Sequence, residues 1–85
     1  MAFDIFKTPH VMRAIATISE QEENRYSDIP GWEGMTGFDT AKGVFLVITK
    51  DARTQEIFFP YSQMRKAEDE QSIYASNWIL EQKGL

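Results

Sequence analysis

His10 is the only histidine in the chain, and it is the first residue to test for chemistry. An imidazole can act as a general base or a metal ligand near neutral pH. A nucleophilic triad would need a serine and a carboxylate beside it, and nothing in the spacing supplies the serine. Acidic residues are plentiful, 13 in all, but none stands in a recognisable acid–base motif. With no cysteine and one histidine, a zinc site has too few ligands. No phosphate loop or dinucleotide fingerprint is present. The sequence therefore predicts no catalytic set, no cofactor and no metal. The enzymatic alternative is a small enzyme that pairs His10 with a carboxylate.

Residue types suited to binding are easier to find. Gly31, Gly34 and Gly37 recur at every third position, with Trp32, Glu33 and Met35 between them. Glu33 would repel a phosphate, and the run has none of the bases of a nucleic-acid clamp. Two readings remain. Trp32 tucks onto the core and the glycines let the chain turn around it, or Trp32, Met35 and Phe38 project and anchor a partner. Ile73 and Leu80, seven residues apart on a predicted helix, form a second candidate contact seam. Leu80 could equally pack against Leu85. Glu20, Glu22, Glu23 and Asp28 form an acidic patch that could dock on a basic protein. Lys50, Arg53, Arg65 and Lys66 are the cations a nucleic-acid surface would use, with aromatic rings stacking on bases.

The elements that must position these residues follow from periodicity. Thr8 and Pro9 read as a helix start, with Thr8 as the cap. Val11, Ala14, Ile15 and Ile18 recur at helical spacing, which predicts an amphipathic helix over 9–25. Residues 27–43 read as a long glycine-rich loop with a short strand near 35–39. Residues 44–49 form a continuous β-branched and aromatic strand, and 55–59 the returning strand of a hairpin that Pro60 stops. Ser62 caps a second predicted helix over about 63–83, whose buried face is Met64, Ala67, Gln71, Tyr74, Ala75 and Trp78. Gly84 ends it in a left-handed conformation, with Leu85 folding back onto Leu80.

The predicted fold is α+β, in the order helix, β-hairpin, helix. Two strands alone are marginal in water, so a third is expected from residues 3–6 or from the glycine-rich segment, or else pairing with another subunit. The result would be a single-layer antiparallel sheet packed by helices, in one domain over 1–85. On this reading Glu20, Glu22 and Glu23 oppose the dipole of the first helix, and Arg65 and Lys66 that of the second. Antiparallel helices would bring these acidic and basic ends together.

Composition narrows the function. The chain has 85 residues and a net charge of −4, with acids and bases interspersed. That is a poor match to sequence-specific nucleic-acid binding. The start, Met1 to Lys7, lacks the basic and apolar regions of a signal peptide. Together with the absence of cysteine, this suits a cytoplasmic protein with no membrane segment. Val44, Leu46 and Ile48 point to one face of their strand, and Phe45 and Val47 to the other. Ile57 and Phe59 share one face of the return strand, while Phe58 lies on the opposite face beside Glu56. A hairpin apolar on both faces must be covered on both. The sequence thus predicts a small non-catalytic protein-binding or regulatory module, working as a homodimer. Its size and composition suit an accessory or inhibitory protein of a phage or other mobile element. The leading alternative is nucleic-acid binding.

Overall fold

The hairpin forms where the alternation places it. In the computed structural model, which describes residues 2–85, strand β5 (Gly43–Lys50) pairs antiparallel with β6 (Arg53–Pro60), from Gly43 opposite Pro60 to Lys50 opposite Arg53. Met1, the first residue of the predicted non-signal start, lies outside the described residues. Asp51 and Ala52 make a two-residue turn with φ of 52° and 64°. Positive φ at both positions is the turn whose twist matches that of the flanking strands.

The segment predicted to be a loop is mostly strand. β3 (Tyr26–Asp28) leads into β4 (Trp32–Asp39), which pairs with β5. Between them the Trp32 N–H donates to the Ile29 carbonyl. Pro30 and Gly31 occupy the two central positions, with Gly31 at φ 75°, which is the geometry of a type II turn. Gly31 is required here twice over, because a Cβ would also run into the Thr49 carbonyl oxygen. The glycines that look like disorder in the sequence are turn and close-approach positions. Both predicted sources of a third strand contribute, since β1 (Phe3–Asp4) pairs with the outer side of β4.

The two long helices do not form. Helix α1 runs only over Pro9–Ala14, because Ile15 turns extended at φ −97°, ψ 123°. β2 (Ala16–Thr17) then runs parallel to β7 (Met64–Lys66). The Ile18 N–H donates to the Lys66 carbonyl. The β-branched run of Ile15, Thr17 and Ile18 favours this extended course, and a partner strand exists to accept it. Thr8 makes no side-chain cap; its hydroxyl donates to the Asp4 carbonyl instead. In the second predicted helix, Met64 and Ala75 face each other across a hairpin of β7 and β8 (Ile73–Ser76). Helix α2 is only Asn77–Gln82, capped by Ser76, whose hydroxyl accepts from the Ile79 N–H at 3.1 Å. Its C-terminal end is as expected: Gly84 has φ 74°, and the Leu85 N–H donates to the Leu80 carbonyl at 2.9 Å.

The architecture is therefore mostly β, with two four-stranded sheets. Their orders are β1-β4-β5-β6 and β2-β7-β8-β3. The first is antiparallel; the second mixes one parallel pair with two antiparallel ones. A single small sheet between helices is not what forms. One hydrophobic cluster draws on both sheets. Val44, Leu46, Ile48 and Phe59 come from the first, Met64, Ile73 and Ala75 from the second, and Ile5, Val11, Ile15 and Ile79 from the connections. No buried side-chain nitrogen or oxygen among the described residues lacks a hydrogen-bond partner. No helix among them is long and apolar enough to cross a membrane.

Two turn substitutions test this account with opposite signs. Gly31→Ala should cost about 2 kcal/mol or more, from left-handed strain plus the carbonyl clash. Ala52→Gly relieves left-handed strain at φ 64° and should stabilise by roughly 0.5–1 kcal/mol after the entropy of the unfolded glycine is subtracted. Urea unfolding of both variants checks the signs.

Candidate functional site

Strand β5 fixes the site. Its inner residues Val44, Leu46 and Ile48 are buried by the core, but Phe45 and Val47 on the outer face are only half-buried. Phe38 and Phe58, from the neighbouring strands of the same sheet, flank Phe45. The two-residue turn makes Lys50 and Arg53 a hydrogen-bonded pair, so by alternation Phe45 and Phe58 form a non-hydrogen-bonded pair, where side chains approach most closely. Their ring centroids are 5.2 Å apart and tilted by 58°. On the other side Phe38 stacks on Phe45 at 4.3 Å and 26°. The register shifts by one residue between Thr36, opposite Leu46, and Asp39, opposite Val44. That bulge sets Gly37 and Phe38 together against Phe45. The result is a row of three phenylalanines crossing β4, β5 and β6, with Phe38 58% exposed at one end. Beside the row the Glu56 carboxylate reaches from β6 over Gly37, where a Cβ would lie 2.7 Å from its Oε1.

Among the residues singled out from sequence, Phe38 alone belongs to this row. Trp32 is half-buried against the core, and its indole N–H donates to the Met35 carbonyl at 2.7 Å. The indole is thus tied to its own strand, while Met35 stays exposed at 36%. Ile73 and Leu80 are core residues, 5% and 7% exposed, and form no surface seam. Ile73 lies on a strand and Leu80 on a short helix, so the heptad relation between them does not exist. Phe45 and Phe58 were assigned to strand faces by alternation. The length of the Asp51–Ala52 turn was the signal that would have set them opposite each other.

The acidic and basic candidates are mostly engaged within the chain. Glu20, Glu22 and Glu23 lie in the first turn of a 3-10 helix, Glu20–Arg25, where they favour the helix dipole instead of opposing it. Glu22 closes that turn, its Oε1 accepting from the Ser19 backbone N–H at 3.1 Å and from the Ser19 hydroxyl at 3.2 Å. Glu22 also pairs with Arg65 at 3.0 Å, so an acidic and a basic end do meet, though not between antiparallel helices. The Arg65 hydrogen bond, followed by that from the Ser19 backbone, holds the Glu22 carboxyl below its ordinary pKa. Arg65 also lies over the Tyr26 ring at 4.8 Å. Lys66 donates to the Met12 carbonyl and pairs with Glu70, each at 3.0 Å. Lys50 donates to the Gly84 carbonyl at 2.6 Å. Arg53 and Asp28 are exposed.

His10 does find a carboxylate. Its Nε2 lies 3.0 Å from Asp39 Oδ2, joining α1 to the end of β4. The pair borders a cleft of about 380 Å³ with Thr40 and Tyr61. Burial, and then the charge of Asp39, push the Tyr61 phenol above its ordinary pKa. His10 is 59% exposed, and no hydroxyl among the described residues hydrogen-bonds to it. No nucleophile among the described residues is therefore aligned for it to activate. No group of three metal-ligating side chains occurs among the described residues. Comparison with known proteins finds no family model, no curated protein and no solved structure that matches this chain.

The Glu22–Arg65 contact gives a pH prediction. A carboxyl with a lowered folded-state pKa adds stability above its unfolded pKa, and that contribution is lost as pH falls through the folded value. Stability should therefore drop on acidification below the ordinary carboxylate range. Glu22→Gln should lose the contribution at neutral pH and show a shallower acid limb. Urea unfolding from about pH 7 to about pH 3 reads both effects.

Proposed function

We propose that this chain is a small non-catalytic protein-binding module of accessory or regulatory type, whose contact surface is the outer face of the first sheet. The observation that carries the reading is the row Phe38, Phe45, Phe58, left open on a strand whose opposite face is fully buried. Phenyl rings bury large apolar area and add about 0.5–1.5 kcal/mol per well-oriented pair. A second copy of the chain is the partner this face suits, because two such rows offer each other matching rings. The Glu56 carboxylate, which lies beside the row, would have to stay hydrated at the contact.

A second reading, single-stranded nucleic acid stacked on the same row, draws support from the row itself. Exposed aromatics on an open sheet are a known stacking platform. Charge argues against it. Arg65 and Lys66 are spent on internal contacts on the other sheet, and the ionisable group lying across this face is the Glu56 carboxylate. Phe38 and Phe45 also cover one another and leave less ring face for a base.

Sedimentation equilibrium across micromolar to millimolar protein tests the first reading. The expected result is a reversible dimer, weakened about tenfold or more by Phe38→Ser. Phe38 is exposed, so the variant should stay folded, losing no more than the roughly 0.5–1.5 kcal/mol of its stack on Phe45. A monomer throughout, or a dimer indifferent to Phe38→Ser, removes this face as the site of self-association. Salt-sensitive retention of labelled single-stranded RNA or DNA would favour the second reading.

A further inference from the structure

On the other sheet, where β3 meets the start of α2, lies a cleft of about 350 Å³ lined by Arg25, Tyr26, Gln63, Ser76, Asn77 and Trp78. Its hydrogen-bonding capacity is one-sided. Gln63 Oε1 accepts from the Ser76 hydroxyl at 2.6 Å. Asn77 Oδ1 accepts from the Ser27 hydroxyl at 2.5 Å, and its Nδ2 donates to the Asn24 carbonyl at 3.1 Å. Each side-chain amide oxygen of the wall therefore already accepts one hydrogen bond from the protein. Three donors remain without a protein partner among the described residues: the Gln63 amide nitrogen, the Trp78 indole N–H and the Arg25 guanidinium. The Tyr26 hydroxyl can act as donor or acceptor.

Two further features select the ligand. No carboxylate lines this cleft, although acids outnumber bases in the chain. Trp78 is the most exposed large apolar side chain, at 59%, even though it belongs to a helix whose other apolar residues are buried. An indole held in solvent beside an unpaired guanidinium offers a flat apolar surface and a planar pair of donors. The volume is at the small end of ligand pockets, which span roughly 300–1,000 Å³, and suits one ring and one substituent.

We propose that this cleft binds a free small molecule made of a planar aromatic ring carrying a carboxylate or phosphate. The ring stacks on Trp78, Arg25 takes the anion through two parallel N–H donors, and the Gln63 amide supplies a third. The site is independent of the phenylalanine row, which lies on the other sheet.

NMR titration of the ¹⁵N-labelled chain with phenyl phosphate tests this. The expected result is a saturable shift of the Trp78 indole N–H, with the Trp32 indole unmoved, and an affinity of about millimolar for a ligand this small. Arg25→Gln should weaken binding about tenfold, and benzyl alcohol, which keeps the ring without the anion, should bind correspondingly less. Trp78→Ala should abolish saturation, and its retained backbone spectrum would show that the fold survives. Absence of saturation in the wild-type chain at about 20 mM ligand, or equal affinities for the Arg25→Gln and wild-type chains, overturns the proposal.

Discussion

Strand β5 carries the constraint on which the rest of the molecule depends. Its eight residues are apolar on both faces, and a chain of 85 residues can build one core. Val44, Leu46 and Ile48 take that core, and segments from both before and after β5 in the chain cover them. The second sheet contributes Met64, Ile73 and Ala75, and the short helices contribute Val11 and Ile79. Phe45 and Val47, on the other face, stay half-buried. The bulge in β4 and the register of the hairpin give the best cover the sheet itself can supply, a Phe on either side of Phe45. Function, on this reading, begins with apolar surface that the fold could not hide.

How much of this was legible in the sequence depended on how local the deciding interaction was. The hairpin was legible because two apolar runs and the turn between them decide it within 18 residues, although the turn reads as 50–54 in the sequence and is only Asp51–Ala52 in the structure. The C-terminal stop was legible because Gly84 and Leu85 act on Leu80, in the adjacent turn. The helix over 9–25 was not, because its pattern also fits a short helix followed by a strand. What breaks the tie is Lys66, whose carbonyl receives the Ile18 N–H from 48 residues away. Likewise Met64 and Ala75 fit a helical face by spacing, yet their true relation is across β7 and β8. Whether parallel, as between β2 and β7, or antiparallel, as between β7 and β8, such pairings leave no mark within one segment.

The charges follow the same logic. Once Glu20–Arg25 is a short 3-10 turn instead of the end of a long helix, Glu20, Glu22 and Glu23 change from unfavourable to favourable neighbours of its dipole. Arg65, once on a strand, reaches Glu22 and Tyr26 together. An apparent conflict between charge and element was in fact evidence against the element.

The edges of the first sheet bear on how its open face would be used. An unpaired edge invites strand addition, and short strands, charges and proline discourage it. β1 has two residues. The other edge, β6, is long, but it carries Arg53 and Glu56 and ends at Pro60, which has no N–H to offer. By hairpin alternation the free backbone groups of β6 belong to Thr54, Glu56, Phe58 and Pro60. An incoming antiparallel copy centred on Glu56 would set that carboxylate against its own equivalent, and one centred on Phe58 would meet Pro60 where a donor is needed. These registers discourage edge addition over the length of β6. A partner that stacks on the row of rings needs no backbone donor from Pro60, which favours contact across the sheet face over contact along its margin.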